Sequence, residues 1–356
     1  MSNSTIQTLG IVGTGAMGRG IAQIAAQAGL TVNLYDTNAQ AVAAARQYLQ
    51  DTFAKLADKG KISAADSEAA LAQRLADSDG LVLIRERTQI TASLLDALPR
   101  LRWIVQTGRL SACIDLAACQ RRGIVVKDGS GNPIAPTELT WALILAASRR
   151  LLPYARQLEQ GHWQRSAPTP AEESLGRSVH GRTLGVWGYG KIGRRVAAIG
   201  RAFGMQVLAH GRSGSQQAAQ ADGVAFIADR REFLGQLDIL TLHLRLTPDT
   251  QHMIGEAELA CLRPDALLVN TSRAELLAPG ALLASLAKGR PGAAALDVFP
   301  DEPDGVAPYL DSPQVLCTPH LGFVERDTYE AYFREAFAHV RALLLDDCEK
   351  RNNPTN

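Results

Sequence analysis

Apolar runs three or four residues long recur along the chain and alternate with alanine-rich stretches of helical length. They are Leu9–Val12, Val32–Tyr35, Leu81–Ile84, Trp103–Gln106, Leu184–Trp187, Val207–Ala209, Ile239–Leu242, Leu267–Val269 and Ala293–Leu296. A strand with one wet face alternates apolar and polar residues. These runs are nearly continuous, so both of their faces must be covered. The pattern predicts an α/β fold of doubly wound parallel sheets with helices between the strands. A long helix is predicted over about residues 136–160. The segment after it, Gly161–Gly181, is polar, carries Pro168 and Pro170, and lacks a period. That segment reads as a surface connection and a hinge between domains, and the tail beyond Asp346 reads as frayed.

At 356 residues the chain exceeds what one core organises, so two domains are expected. Its 37 basic and 36 acidic residues leave a net charge of +1, which gives no footprint for nucleic acid or an anionic membrane. Five cysteines (Cys113, Cys119, Cys261, Cys317, Cys348) show neither a C-x-x-C pair nor zinc-ligand spacing. No metal site is expected from them, and they suit the reduced, buried thiols of a cytoplasmic protein. The opening Met1-Ser-Asn-Ser-Thr5 lacks the basic and apolar segments of a signal peptide. The most apolar run, Leu139–Ala147, falls far short of the ~20 residues of a membrane span.

Two stretches share a strand–turn–helix pattern: Leu9-Gly-Ile-Val-Gly-Thr-Gly-Ala-Met-Gly18 and Leu184-Gly-Val-Trp-Gly-Tyr-Gly-Lys-Ile-Gly193. Each carries G-x-G-x-x-G, at Gly13, Gly15 and Gly18 in the first and at Gly188, Gly190 and Gly193 in the second. Such glycines permit a tight turn, close approach of backbone to a pyrophosphate, and close helix–strand contact. The helix that follows offers unpaired N–H groups and a positive dipole end to the phosphates. In both units the residue 23 positions after the first glycine closes the next strand, where an acid would hold a ribose 2′-hydroxyl. It is Asp36 in the first, which suits NAD. In the second it is Gly211, followed by Arg212 and Ser213. An arginine and a hydroxyl without the acid suit a 2′-phosphate, so NADP is expected there over NAD. The alternative is an exposed arginine with no ligand role.

Four further segments follow the second fingerprint in order: Leu242-His-Leu-Arg-Leu-Thr-Pro-Asp-Thr250, Val269-Asn-Thr-Ser-Arg-Ala-Glu-Leu276, Ala294-Ala-Leu-Asp-Val-Phe-Pro-Asp-Glu-Pro303 and Cys317-Thr-Pro-His-Leu-Gly322. With Gly181–Gly193 they make the chain from about Arg74 to Leu345 resemble the D-2-hydroxyacid dehydrogenase family, which includes phosphoglycerate dehydrogenase and glyoxylate/hydroxypyruvate reductases. The resemblance implies a nicotinamide-dependent oxidoreductase that interconverts a small 2-oxo acid and its D-2-hydroxy acid. It implies two doubly wound domains, a Rossmann cofactor domain and a flavodoxin-like substrate domain, with a cleft between them. The cofactor residues implied are Gly188, Tyr189, Gly190, Lys191, Ile192, Gly193, Arg212 and Ser213, with Thr271, Ser272 and Asp297 near the nicotinamide. The catalytic set implied is Arg273, Glu302 and His320. The chemistry agrees, because hydride delivery leaves charge on the carbonyl oxygen and a proton donor must stand beside it. Histidine titrates near neutrality, and a carboxylate partner fixes its ring and favours imidazolium. An arginine fork can hold the substrate carboxylate and polarise the keto oxygen. Arg85 and Gly108, which follow apolar strands, are the implied substrate contacts from the other domain.

Residues 1 to about 72 differ. Leu9–Ala28, Val32–Asn38 and Leu56-Ala-Asp-Lys-Gly-Lys-Ile-Ser63 resemble the opening of 3-hydroxyacyl-CoA dehydrogenases, joined near Asp66–Leu75, so the chain reads as a chimera. Gly13, Gly15, Gly18 and Asp36 are then either a second dinucleotide site or a glycine turn retained for structure. The expected domains are 1–133 plus 325–345 for substrate, 134–324 for the dinucleotide, and a tail 346–356. By the same resemblance the protein is expected to form a homodimer. Competing functions are 3-hydroxyacyl-CoA dehydrogenase activity and a catalytically silent NAD(P)-binding protein.

Overall fold

A computed structural model describes residues 8–14, 18–19, 21–22, 25, 31–36, 38, 40–45, 68–84, 88–110, 113–169 and 172–352. The chain divides into two compact units, Met1–Gly131 with Arg326–Asn356, and Asn132–Glu325. Each is built on a wholly parallel sheet, the architecture that the unbroken apolar runs predict. The segments Leu56–Ser63 and Asp66–Ser67 lie outside the described residues.

In the first unit the strands are β1 (Thr8–Val12), β2 (Thr31–Tyr35), β3 (Gly80–Leu83), β4 (Trp103–Gln106) and β5 (Val125–Asp128), ordered β2-β1-β3-β4-β5. The chain leaves β1 toward one edge and resumes at β3 on the other side. Gly13 and Ile84 therefore meet at the point where the winding reverses, with Gly13 N donating to Tyr35 O (2.6 Å) and Ile84 N to Val12 O (3.1 Å). One face of the sheet packs Val12, Leu81, Leu83 and Ile104 on Leu94, Leu95 and Leu98. The carboxy-terminal helix Arg326–Asn352 returns to this unit and lies along β4. Glu335 Oε2 accepts from Ser130 N (2.8 Å), and His339 Nε2 bonds Asp128 O (3.1 Å).

In the second unit the strands are β6 (Thr183–Trp187), β7 (Gln206–His210), β8 (Ala225–Phe226), β9 (Ile239–Leu242), β10 (Leu267–Asn270), β11 (Ala293–Leu296) and β12 (Val315–Cys317). Their order is β12-β11-β10-β9-β6-β7-β8, so the winding reverses between β6 and β9. Side chains alternate between two cores, as strand geometry requires. Trp187, Leu240, Leu242, Leu268 and Leu296 enter one, and Val186, Ile239, Val269 and Ala295 enter the other.

Several boundaries differ from those the sequence predicts, each for a physical reason. The single helix over 136–160 is two, Ile134–Ser148 and Leu151–Glu159, separated by a left-handed Arg150 (φ 53°). Pro153 has no N–H for the Arg149 carbonyl, and its ring would strike that carbonyl in a continuous helix. Gly161–Gly181 is no interdomain hinge: it lies inside the second unit, and the chain crosses between units at Gly131–Asn132 and Glu325–Arg326. That segment is tied down by Arg177 N to Ser148 O (2.7 Å), by Ser166 Oγ to Ser174 O (3.0 Å) and by ion pairs Arg165–Glu173 and Arg177–Asp265. Beyond Asp346 the last helix continues to Asn352, since no glycine or proline interrupts it before Pro354. The short strands β5, β8 and β12, two to four residues long, carry too little pattern to be read in advance.

Gly80 stands in register with Trp103 of the neighbouring strand, and its missing Cβ is the space the buried indole fills. Gly80→Ala should therefore overpack a rigid ring at about 1–3 kcal/mol. A thermal melt should show Tm lowered by about 3–8 °C; an unchanged Tm would mean that the ring finds another seat.

Candidate active site

All seven strands of the second unit run the same way, so their carboxyl ends present loops along one edge. In sheet order those loops begin at Thr318 after β12, Asp297 after β11, Thr271 after β10, His243 after β9, Gly188 after β6 and Gly211 after β7. In open parallel sheets, ligands bind outside the carboxyl ends where the winding reverses, here between β6 and β9.

The glycine loop occupies that point. Gly188 has φ 99°, and a Cβ there would come within 2.5 Å of the His243 carbonyl. Gly193 abuts the Gly188 carbonyl so closely that any side chain would collide with it. Gly190, by contrast, faces open space, with nothing within 4 Å of a Cβ built there. It is the N-cap of helix Lys191–Ala202, whose first N–H groups have no intrahelical partners. Open space, a helix amino terminus and two close-packed glycines fit a pyrophosphate. Tyr189 turns inward, its hydroxyl donating to Asp222 (3.2 Å), and burial with the adjacent carboxylate pushes its pKa up to about 12. Its backbone N–H donates to Ser215 Oγ (3.3 Å), so the ring and the amide are both tied into the unit.

At the position equivalent to Asp36, a Cβ on Gly211 would fall 2.6 Å from Ser215 Oγ, so a side chain there would require Ser215 to move. Arg212 caps helix Ser213–Ala221, with Ser213 its first residue, and pairs with Asp249 at 3.0 Å.

The remaining candidates of the second unit follow three adjacent strands, β10, β11 and β12. Asn270 closes β10 and shapes the next turn: its side chain accepts from Ser272 N (3.0 Å) and donates to Arg273 O (2.9 Å). Thr271 Oγ1 bonds Thr140 Oγ1 (2.8 Å), Ser272 Oγ donates to Leu244 O (2.7 Å), and Arg273 Nη1 donates to Ser272 O (2.8 Å). After β11 comes Asp297, wholly buried. It accepts from Thr318 Oγ1 (2.6 Å), Leu321 N (2.7 Å) and Gly322 N (2.8 Å), binding the turn after β12 to its own strand end. Burial raises its pKa, opposed by those hydrogen bonds and by His320. Within the turn, His320 is left-handed (φ 54°), an uncommon state for a residue with a side chain. Its Nδ1 lies 2.7 Å from Glu302 Oε2, and Glu302 Oε1 accepts from Phe299 N (3.1 Å).

A profile of the D-isomer specific 2-hydroxyacid dehydrogenase NAD-binding domain matches residues 141–322. The chain belongs to the D-2-hydroxyacid dehydrogenase family. It is 38% identical to a glyoxylate reductase of Aeropyrum pernix over 262 residues, 72% of this chain and 77% of that one. It is 32% identical to a D-3-phosphoglycerate dehydrogenase of Methanocaldococcus jannaschii over 285 residues, 79% of this chain. The chain spans only 53% of the length of that second relative. The solved structure of a phosphoglycerate oxidoreductase from Vibrio cholerae superposes with a TM-score of 0.79 at 39% identity, covering 96% of this chain and 100% of that one. A second profile, the 3-hydroxyacyl-CoA dehydrogenase NAD-binding domain, matches residues 8–86, in keeping with the chimeric opening.

For a D-2-hydroxyacid dehydrogenase, the remaining sequence candidates fall in the first unit. Gly13 has φ 106°, and Gly18 abuts the Gly13 carbonyl as Gly193 does Gly188. Asp36, buried, accepts from Thr14 N (2.7 Å), Thr14 Oγ1 (3.1 Å) and Asn38 N (3.0 Å). Gly108 has φ 73° and turns its carbonyl to Gly129 N (2.6 Å). Gly15 and Arg85 lie outside the described residues. Among the described residues no helix is long and apolar enough to cross a membrane.

Asn270, Thr318 and His243 were not picked out by their motifs, although an Asx residue at a strand end is a recognisable turn signal. His243 Nε2 bonds Thr241 Oγ1 (2.9 Å), and its N–H donates to Trp187 O (2.8 Å), which joins β9 to the glycine loop. Burial lowers its pKa from 6.5 to about 3. The folded chain then resists a proton that the unfolded chain accepts, so this contribution is full above pH 6.5 and is lost on acidification. By proton linkage His243 should account for about 2 kcal/mol of stability lost between pH 7 and pH 5. Guanidinium unfolding of wild type and His243→Gln at both pH values tests this; equal losses would contradict it.

Proposed function

We propose that the protein reduces the keto group of a small 2-oxo acid to the D-2-hydroxy acid, and runs the reverse oxidation, with NADPH preferred to NADH. The hydrogen bond of 2.7 Å between His320 Nδ1 and Glu302 Oε2, at the ends of adjoining strands, carries this reading. Gly188–Gly193 would hold the nicotinamide cofactor, which when bound would supply the hydride. His320 Nε2 delivers a proton to the carbonyl oxygen, and Glu302 steadies the imidazolium beforehand. Arg273, one strand further along, aligns the substrate carboxylate and draws charge onto the keto oxygen. Reduction consumes the protonated imidazole, and oxidation requires the neutral one. The two relatives above, a glyoxylate reductase and a phosphoglycerate dehydrogenase, support a 2-oxo or 2-hydroxy acid as substrate.

The preference for NADPH is supported by Gly211, which puts no acid at the ribose position, and by Arg212 and Ser213 beside it. We read the glycine turn of the first unit as structural. Its carboxylate, Asp36, already holds three donors of its own loop, and the profile matched there ends at residue 86. A second copy of the chain is the proposed partner. Exposed Leu151, Leu158, Trp163 and Leu175 give the second unit an apolar surface suited to it.

His320→Ala and Arg273→Ala should each lower kcat/KM by at least ~100-fold with glyoxylate, hydroxypyruvate or phenylpyruvate. A loss of about tenfold or less would remove these residues from the chemistry. Calorimetric titration should give one dinucleotide per chain and none in Gly188→Asp, its fold checked by circular dichroism. Stoichiometric binding surviving in that variant would mean that the first unit's loop is occupied.

A further inference from the structure

Strand β6 lies between β7 and β9, so the loops after β7 and β9 flank the glycine loop on either side. Arg212 follows β7, and Asp249 lies in the turn after β9. Their 3.0 Å ion pair bridges two strand ends that stand about 10 Å apart by sheet spacing. The bond thus spans the mouth of the dinucleotide site beside the position where a ribose acid is missing.

Neither end is free to drift. Thr250 is buried, its Oγ1 donating to Arg245 O (2.6 Å) and accepting from Thr247 N (2.8 Å), while its N–H donates to Thr247 O (3.0 Å). Asp249 therefore rides on a turn pinned from within. Arg212 starts a nine-residue helix directly after the crowded Gly211. Both side chains are well exposed, at 68% and 80%, so the pair is weak enough to exchange partners in water.

We propose that Asp249 is a second cofactor-specificity residue, a carboxylate that competes with a 2′-phosphate for the Arg212 guanidinium. The inference rests on reading Arg212 as the 2′-phosphate partner. NADH carries nothing at that position and leaves the pair intact. NADPH has to displace Asp249 and then endures its charge nearby, because the pinned turn keeps the carboxylate close. Asp249 therefore restrains a preference that Arg212 and Gly211 would otherwise make stronger, and it does so without touching the nicotinamide end.

Dissociation constants for NADPH and NADH, measured by fluorescence at one fixed ionic strength, test this in wild type, Asp249→Asn, Asp249→Glu, Arg212→Ala and Arg212→Ala/Asp249→Asn. Asp249→Asn should raise the NADPH-to-NADH affinity ratio about five- to tenfold, the scale of one exposed charge-assisted contact. Asp249→Glu, which keeps the charge, should stay near the wild-type ratio. With Arg212 replaced, the gain from Asp249→Asn should shrink to about twofold or less. An unchanged ratio in Asp249→Asn, or an equal gain with and without Arg212, would overturn the proposal. Wild type binding NADH more tightly than NADPH would overturn the stated preference instead, since the restraint is read from the change in ratio.

Discussion

The turn that carries His320 depends on one buried carboxylate. Asp297 sits at the end of β11 with no exposure to solvent and gathers three donors from the Thr318–Gly322 turn. A charge so placed is costly unless its lone pairs are met, and here the meeting groups are those that set the backbone around His320. Left to itself, a histidine would leave the left-handed region, at a gain of roughly 1–3 kcal/mol. The amide bonds of Leu321 and Gly322 to Asp297 hold the turn against that tendency. Nδ1 of the ring thereby meets Glu302, which sits on a turn whose Asp301 is also left-handed (φ 50°).

Parallel strands make this possible. Because every strand of the second unit ends on the same edge, a loop of a few residues suffices to bring a guanidinium, a carboxylate and an imidazole onto successive positions of that edge. The helices and two cores below fix the spacing, and the loops supply the chemistry. Strand order then sets the sequence along the edge: Arg273, Glu302 and His320 follow β10, β11 and β12, while the glycine loop and Arg212 follow β6 and β7. The Thr271–Thr140 bond ties the first group to helix Ile134–Ser148, which also buries Trp141, donating Nε1 to Val196 O (3.2 Å) on the helix that follows the glycine loop. One helix thus braces both halves of the site.

How much of this was legible in the sequence depends on whether a residue's role is local. The strands Leu9–Val12, Leu184–Trp187 and Ile239–Leu242 announce themselves because both of their faces are buried, so hydrophobicity alone marks them. The edge strands Val125–Asp128 and Val315–Cys317 are half-wet and short, and nothing local separates them from loops. Glycines whose φ is positive or whose Cβ has no room were readable from spacing. The break at Arg150 was also readable in principle, since Pro153 forbids a continuous helix, but the strong apolar content of Leu139–Ala147 masked it. What no pattern could show is pairing at a distance: Arg212 with Asp249, 37 residues apart, or Arg177 with Asp265, 88 apart. Such pairs are consequences of sheet order, which no local window contains.

The two glycine fingerprints show why a motif and a site are different things. In both units the first glycine takes a φ near 100°, and the third is pressed against the carbonyl of the first, so both would be required for the turn even with no ligand present. Conformation alone therefore says nothing of occupancy. What distinguishes the turns is the disposition of the polar groups around them. In the first unit Asp36 spends its oxygens on Thr14 and Asn38, closing the loop upon itself. In the second, Gly211 stands at the equivalent position, Gly190 opens onto empty space, and Arg212 pairs with the exposed Asp249. The two turns thus share a backbone motif and differ in the partners that their polar groups take.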